Sequence, residues 1–203
     1  MPNPSHPTAY VLTVAATGAS GALFTRALLL LVERDERVQT VNFIASDNAL
    51  RVFAEELDIK GRNNLIQQLI GVKSKKIQAQ NNDDIGGNVA SGSYPTHAMI
   101  VIPCSMGTLA RVAHGLAGNL IDRAADVCLK EKRPLVLCTR ETPLNRVHIH
   151  NMDTAAEAGA TIYPLIPTFY NQPKSFDEMA HQFACRVLQF VGLEQKDAYM
   201  WKG

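Results

Sequence analysis

The sequence predicts an α/β domain of three layers, in which a doubly wound parallel sheet lies between two layers of helices. Short, continuously apolar runs alternate with helical patterns along the chain, which is typical of parallel strands that are buried on both faces. We find neither an internal repeat nor a linker within the 203 residues. This length is ordinary for one domain, so residues 1–203 are assigned to a single domain.

Five segments are predicted to be strands, because each is a short and mostly apolar run between turn or helix signals. In chain order they are residues 10–16, 38–45, 98–102, 135–139 and 160–164. The third strand is expected to stop at Pro103, which has no amide hydrogen for a ladder bond. Residues 60–91 are polar and contain the loop signal NNDDIGG, so no strand is predicted there.

Helices are predicted where apolar residues recur at helical spacing or where capping residues mark a start. In chain order they are residues 22–33, 48–57, 64–70, 108–114, 119–132, 143–158 and 176–191. Ser46 is a favourable cap for the second of these helices. Thr142 followed by Pro143 predicts the cap and the first residue of the sixth. Ser175 and Glu178 predict a capping box at the start of the last.

Composition narrows the classes of function. The chain carries 20 basic and 19 acidic residues, and a formal charge of +1 argues against a nucleic-acid partner. Its four cysteines include no CxxC pair, so we expect reduced, buried thiols. The longest strongly apolar run, residues 27–32, is too short to span a membrane, and the first residues lack the features of a signal peptide. We therefore expect a cytoplasmic protein with a mobile arm at residues 1–8 and a C-terminal tail at 194–203.

The stretch TGASG follows the first predicted strand, at the end where doubly wound sheets bind their ligands. Gly18 and Gly21 would let the backbone approach a ligand closely, and the free amides of the next helix would attract an anion. The stretch matches neither GxGxxG nor GxxxxGK[ST]. It therefore predicts either a phosphate cradle or a tight turn without a ligand.

Three further strand ends carry groups that could contact the same ligand. Ser46 follows the second strand, the stretch CSMGT at 104–108 follows the third, and Arg140 and Glu141 follow the fourth. Because the carboxyl ends of parallel strands meet at one edge of the sheet, these turns predict one shared site. Arg140 could hold a phosphate through two parallel hydrogen bonds.

Four other residues each allow a functional and a structural interpretation. Lys130 is near a helix end, where the helix dipole favours any cation. Arg186 lies at the margin of an apolar helical stripe, where a long side chain often extends to solvent for packing reasons alone. Tyr170 could be a core residue or a phosphate-facing hydroxyl. Trp201, in the closing DAYMWKG, could belong to a frayed tail or to a flap over an apolar pocket.

The segments TGASG, SGS, PCSM, RAADVCLKE, RETPLN and PLIPTFYNQP resemble the flavin prenyltransferase family of the UbiX type. The resemblance extends over about residues 10–193 and is dense from 91 to 175. It implies a flavodoxin-like, Rossmann-like fold, reduced FMN as substrate, dimethylallyl phosphate as prenyl donor, prenylated FMN as product, and no metal. It also implies a dodecamer with the flavin at subunit contacts, and a UbiD-type decarboxylase that receives the product.

The same resemblance implies roles for individual residues. Glu141 matches the catalytic acid–base, and Ser20 and Lys130 are the other catalytic candidates. Lys130 also belongs with the donor-binding residues Tyr170 and Arg186, and Trp201 matches an aromatic residue near the prenyl pocket. The residues that match flavin contacts are Gly18, Ala19, Ser20, Ser46, Ser105, Met106, Gly107, Thr108 and Arg140. Many family members carry lysine at the position of Gly107, so only a backbone contact is expected there.

Two other functions are compatible with the same fold. A flavin-dependent peptidyl-cysteine decarboxylase would need a catalytic histidine near the first turn and a PASANT-like segment, and the sequence has neither. A non-catalytic, FMN-binding electron carrier would usually be acidic and would have no need of Lys130, Tyr170 and Arg186 as a phosphate clamp.

Overall fold

The computed structural model describes residues 9–200. Its strands are β1 Tyr10–Ala16, β2 Val38–Ala45, β3 Ile77–Gln80, β4 Ala98–Cys104, β5 Leu135–Thr139 and β6 Thr161–Ile162. They form one parallel sheet in the order β3-β2-β1-β4-β5-β6. The direction of winding reverses between β1 and β4, so the prediction of a doubly wound sheet is confirmed, and the order is that of the Rossmann type.

Helices cover both faces of this sheet. They are α1 Ala22–Arg34, α2 Asp47–Leu57, α3 Leu65–Ile70, α4 Met106–Ala113, α5 Leu120–Lys130, α6 Arg146–Glu157 and α7 Phe176–Phe190. One core cluster joins the sheet to α1, α2, α3 and α7, and the other joins it to α4, α5 and α6. Because both faces are covered, every residue of β1, β4 and β5 is buried, which explains their continuously apolar sequences.

Three strands differ from the sequence predictions, and one of them, β6, comprises only Thr161 and Ile162 of the predicted residues 160–164. β3 lies at the edge of the sheet, pairs only with β2, and buries only Ile77, so its polar sequence gave no strand signal. β4 continues through Pro103 to Cys104, although the proline was expected to end it. The pairing between β4 and β5 is irregular between Val101 and Cys104, and a proline is tolerated at such an irregularity.

Two helix starts differ from the predictions by more than one residue. α6 begins at Arg146 and not at Pro143, because Asn145 and His148 form a reciprocal capping box there. α4 begins at Met106, two residues before the predicted start, because Ser105 caps it. The segment that contains Arg140 and Glu141 is therefore a loop of five residues between β5 and the cap of α6, and it is free to line a cavity.

The predicted capping box of α7 is half formed. The Ser175 hydroxyl accepts a hydrogen bond from the amide of Glu178, but the Glu178 carboxylate accepts from the amide of Lys174 in place of that of Ser175. Among residues 9–200, no helix is long and apolar enough to cross a membrane. The arm predicted at residues 1–8 lies outside the described residues.

Candidate functional site

The turns after β1 and β4 are fastened to each other at the point where the winding reverses. Buried Thr17 donates both its amide and its hydroxyl to the carbonyl of Pro103, at 3.1 and 3.0 Å. The Thr17 hydroxyl oxygen also accepts from the amide of Ser105 at 2.8 Å. The stretches TGASG and CSMGT are thereby held side by side, and they form the two sides of one crevice at the carboxyl edge of the sheet.

Gly18 has a packing role in this crevice. A Cβ atom at this position would overlap the Cβ of Asn48 in the first turn of α2. Gly21 has a φ of 128°, and a Cβ there would lie 3.2 Å from Cδ1 of Leu165. Both glycines are thus needed to bring the first turn against its neighbours, as the tight-turn interpretation predicts.

An internal carboxylate occupies the amides at the start of α1. Glu56 of α2 accepts hydrogen bonds from the amide of Gly21 at 3.0 and 3.1 Å and from the amide of Ala22 at 2.8 Å. A carboxylate is stabilised there by the helix dipole, as a phosphate would be. The phosphate cradle predicted at these amides is therefore not formed, because Glu56 already satisfies them.

The contact of Glu56 with the first turn was not predicted from the sequence. Phe53 is buried on the inner face of α2, and Glu56 follows it by three residues. Residues three apart share one face of a helix, so this spacing places a carboxylate on the face that packs against the core. Glu56 is nevertheless exposed, so this spacing alone does not require a partner for its charge, and the partner lies 35 residues earlier in the chain.

Two of the predicted flavin contacts are helix caps. The Ser46 hydroxyl accepts from the amide of Ala49 at 3.1 Å, and the Ser105 hydroxyl accepts from the amide of Thr108 at 3.4 Å. The two serines therefore place the first turns of α2 and α4 at the same edge of the sheet. First-turn amides have no partner within their own helix, so those of Met106 and Gly107 are suited to contact a ligand.

A buried polar network fixes the start of α4. Arg111 donates to the Thr108 hydroxyl at 3.1 Å and to the carboxylate of Asp122 at 2.7 Å. Asn119 donates to the same carboxylate oxygen at 2.8 Å. Burial of Asp122 raises the pKa of its carboxyl group in spite of these hydrogen bonds. The network thus holds the Thr108 side chain in the first turn of α4 through Arg111.

A cavity of about 420 Å³ lies beyond the carboxyl end of β5. It is lined by Arg140, Glu141 and Met106, and its other walls are mainly apolar side chains, one of which is Leu165. The amide of Arg140 donates to the carbonyl of Cys104 at 3.1 Å, which ties this wall to the end of β4. Because Leu165 also contacts the first turn at Gly21, the cavity adjoins the crevice between β1 and β4. A largely apolar cavity with a few charged groups is typical of a small-molecule site.

Tyr170 and Arg186 line a second, smaller cavity of about 130 Å³. Asn171, Gln182 and Tyr199 are also in its lining. The Oδ1 atom of Asn171 is buried and has no hydrogen-bond partner among residues 9–200. Arg186 and Tyr170 bring hydrogen-bond donors to this cavity, whereas the unsatisfied oxygen of Asn171 needs a donor and does not itself favour an anion. The prediction that Tyr170 and Arg186 act together is consistent with this placement.

The structure does not bring Lys130 to this cavity. Lys130 is the last residue of α5, which leads into the start of β5, so it lies at the amino edge of the sheet. It forms an ion pair with Glu131 and adjoins Gly92 of the SGS segment, where an added Cβ would lie 2.7 Å from its Nζ atom. Trp201 lies outside the described residues.

Comparison with known proteins places this chain among flavoproteins. A family model described as Flavoprotein matches residues 2–181. A protein of Alkalihalophilus pseudofirmus named flavin prenyltransferase UbiX is 39% identical over 193 residues, which are 94% of this chain and 96% of that protein. A relative of the same name from Salmonella typhimurium is 41% identical over 194 residues, which are 95% and 98% of the two chains.

Solved structures agree with these relatives. The dodecameric FMN-dependent Ubix-like decarboxylase of Escherichia coli O157:H7 is 38% identical, with a TM-score of 0.85 and coverage of 95% of this chain and 100% of that one. AnUbiX in complex with FMN and dimethylallyl pyrophosphate is 36% identical, with a TM-score of 0.85 and coverage of 96% and 98%. The cypemycin decarboxylase CypD, at 17% identity and a TM-score of 0.60, shares the fold alone.

Proposed function

The chain belongs to the flavin prenyltransferases of the UbiX type, and from this premise we propose how its residues transfer a dimethylallyl group to reduced FMN. The donor is dimethylallyl phosphate and the product is prenylated FMN, which serves a UbiD-type decarboxylase. The observation that carries the assignment is the near-complete match to proteins of this name. The convergence of four strand ends on one crevice supports it independently.

The flavin site uses the carboxyl edge of the sheet. We assign flavin binding to Gly18, Ala19, Ser20, Ser46, Ser105, Met106, Gly107, Thr108 and Arg140. The small side chains of the first turn and the free first-turn amides of α4 suit this role, because they let a planar ring and its phosphate approach the backbone. Gly107 is exposed and has no neighbour closer than 3.7 Å to an added Cβ, so its contribution is a backbone contact. Reduced FMN, when bound, supplies the nucleophilic N5 and C6 atoms of the reaction.

The smaller cavity suits the phosphate of the donor. The departing phosphate carries close to two negative charges near neutral pH, so its departure needs positive charge and hydrogen-bond donors. Arg186 and the hydroxyl of Tyr170 face this cavity and can stabilise that charge as the C–O bond lengthens. The placement of Trp201 near the prenyl pocket stays a prediction.

We assign Lys130 to the donor site of a neighbouring subunit. Within one chain it lies at the amino edge of the sheet, away from Tyr170 and Arg186, so only another copy can bring it to them. The exposed apolar side chains around the site favour such contacts, because Val147, Ile166 and Phe169 have 64%, 71% and 69% of their surface exposed. The dodecamer of the Escherichia coli relative supports this arrangement, and we propose the same assembly here.

Glu141 is the proposed acid–base. It lies next to Arg140 in a cavity with mainly apolar walls, which keep water away from a reactive allyl group. Forming the second bond, from C6 of the flavin to the prenyl group, moves a proton, because C6 loses one and the prenyl double bond gains one. The Glu141 carboxylate is the candidate to accept the proton from C6 and to return it to the double bond, with Ser20 as a relay. The amide of Thr142 donates a hydrogen bond to Oε1 of Glu141 at 3.0 Å.

One experiment separates this function from the two alternatives. The protein is mixed with reduced FMN and dimethylallyl phosphate, and the flavin is then weighed by mass spectrometry. The proposed function predicts a flavin that has gained one C5 unit. A peptidyl-cysteine decarboxylase or an electron carrier would return the flavin with its mass unchanged, and that result would overturn the proposal.

A further inference from the structure

Three side chains of different chemistry meet where the C-terminal segment crosses α7. Nε2 of His181 lies 2.7 Å from Oδ2 of Asp197 and 3.5 Å from Sγ of Cys185. The three potential ligand atoms all lie within 4.8 Å of one another. His181 and Cys185 are four residues apart in α7, so they share one face of the helix, and Asp197 completes the group from the chain end.

We propose that His181, Cys185 and Asp197 form a zinc site that clasps the C-terminal segment onto α7, with water as the fourth ligand. Imidazole, thiolate and carboxylate are the three ligand types that Zn²⁺ takes in proteins. The thiolate favours Zn²⁺ over magnesium or calcium, which prefer oxygen ligands alone. A thiolate and a carboxylate together also balance the two charges of the ion.

The geometry needs only a small adjustment to receive the ion. Bonds of about 2.0–2.3 Å in a tetrahedral site set the ligand atoms about 3.3–3.8 Å apart. The distance from His181 to Cys185 already fits this range, and the distance from His181 to Asp197 must open by less than about 1 Å. Asp197 can move by this amount, because its side chain is 64% exposed and belongs to a segment without regular structure.

Cys185 differs from an ordinary surface thiol in a way that affects binding. Its burial raises the pKa of the thiol to about 12, so the thiol is protonated near neutral pH in the free protein. Binding of the ion must therefore release one proton from Cys185, and the affinity is expected to rise with pH. The alternative to a metal site is that the hydrogen bond between His181 and Asp197 alone fastens the segment to α7, in which case Cys185 has no part in the contact.

The clasp would lie beside the smaller cavity. The carbonyl of Asp197 accepts from Gln182 at 3.1 Å, and the amide of Tyr199 donates to Gln182 at 2.7 Å. Tyr199 lines the cavity and its ring lies 5.6 Å from that of Tyr170. An ion at Asp197 would thus order one wall of the proposed donor site; this consequence rests on the proposed function, whereas metal binding does not. The ion has no part in prenyl transfer itself.

Cobalt tests the proposal directly, because a thiolate ligand gives Co²⁺ a charge-transfer band. The full chain, freed of metal and of any affinity tag, is titrated with Co²⁺ in the absence of flavin and donor. We expect one equivalent to bind with this band in the wild type and in Cys128→Ala, a buried cysteine of the other core cluster, and the band to vanish in Cys185→Ala. A wild type without the band, or a band that persists in Cys185→Ala, would overturn the site.

A second variant covers the case in which Cys185→Ala does not fold. Asp197→Asn changes an exposed residue, and equilibrium dialysis with Zn²⁺ is expected to show affinity reduced by at least about tenfold. Asp177→Asn, an exposed acid on the same helix, is expected to bind Zn²⁺ like the wild type. On addition of Zn²⁺, hydrogen exchange at residues 197–200 should slow in the wild type but not in Asp197→Asn. Equal affinity of the three proteins would contradict the proposal.

Discussion

Glu141 lies beside Arg140 at the end of β5, and the other walls of their cavity are mainly apolar. Glu141→Gln keeps the shape of the side chain but removes its capacity to accept a proton. We expect this variant to bind FMN with the affinity of the wild type and to form no ring-closed product, with activity lower by about 10²–10⁴-fold. The proton NMR spectrum of the flavin, from which ring closure removes the signal of the C6 hydrogen, and a flavin-binding titration measure the two effects.

Glu157→Gln is the control for this prediction, because Glu157 is an exposed carboxylate at the end of α6. It should leave both binding and turnover unchanged. Full turnover by Glu141→Gln would exclude Glu141 as the acid–base.

Glu56 supplies the negative charge at the start of α1. Glu56→Gln keeps one acceptor oxygen but loses the charge, so the free energy of unfolding should fall by about 0.5–1 kcal/mol. Urea denaturation measures this change. Glu55→Gln is a matched control, because Glu55 is the neighbouring exposed residue of the same helix. Equal losses in the two variants would show that the contact with Gly21 and Ala22 has no stabilising role.

Gly18 is required by its neighbour Asn48, and we also propose it as a flavin contact. In Gly18→Ala the new methyl group would overlap Cβ of Asn48, so the turn must move, at a cost of about 1–3 kcal/mol. The expected result is weaker flavin binding together with a lower free energy of unfolding. Asn48→Gly in the same chain removes the clashing atom and should restore much of both quantities. Failure of this double variant to recover either would contradict the steric explanation.

At the scale of elements, the buried parts were predictable and the edge parts were not. β1, β2 and β5 were predicted with their observed bounds, because burial on both faces leaves a mostly apolar run in β1 and β5 and in the second half of β2. β3 is an edge strand with one buried residue, and such a strand carries almost no sequence signal. The start of α6 was wrong because a proline preceded by threonine also occurs in loops, and the stronger cap was Asn145 with His148.

The same contrast holds for the site. Residues that directly follow buried strands could be predicted, because topology alone brings the ends of parallel strands together. The contact of Glu56 and the position of Lys130 could not be predicted, since both depend on how helices are oriented over the sheet. Arg186 could be paired with Tyr170 only through the family resemblance, and the structure places both in the lining of one cavity.

One link between elements should respond to acid. Asp35 follows α1 and accepts hydrogen bonds from Arg37 and from Gln195 of the C-terminal segment. Burial favours a higher pKa for Asp35, but the hydrogen bonds from Arg37 and Gln195 outweigh it and lower the pKa from 3.8 to about 2. The folded-state pKa thus lies below the unfolded one, so the stabilisation is complete above about pH 4 and is lost as the pH falls towards 2.

The free energy of unfolding is expected to fall by on the order of 1 kcal/mol. This is less than the pKa shift alone would give, because Arg37 is partly exposed and solvent screens its charge. Urea denaturation from about pH 5 down to about pH 2, the range in which a carboxyl group titrates, measures this loss. Asp35→Asn should lower stability at the upper end of this range and flatten the dependence. Asp153→Asn, at an exposed position of α6, should leave the dependence as in the wild type.

In the whole molecule, we propose that each donor site is built from residues of two subunits. Tyr170 and Arg186 line one cavity of a chain, and Lys130 lies at the opposite edge of its sheet. In an oligomer, each site would combine the cavity of one copy with the lysine of another. A variant of Lys130 and a variant of Arg186 should therefore complement each other when they assemble together.

Complementation between two inactive variants tests whether the donor site is divided between subunits. Lys130→Met and Arg186→Met are each expected to form little prenylated FMN, but in mixed oligomers about a quarter of the sites would receive both intact residues. The amount of prenylated flavin, measured by mass, should then rise to about a quarter of the wild-type amount. Tyr170→Phe mixed with Arg186→Met is the control, because both residues line the same cavity of one chain, and it should show no recovery. Mixed oligomers of the Lys130 and Arg186 variants that form no more product than the separate variants would contradict the account.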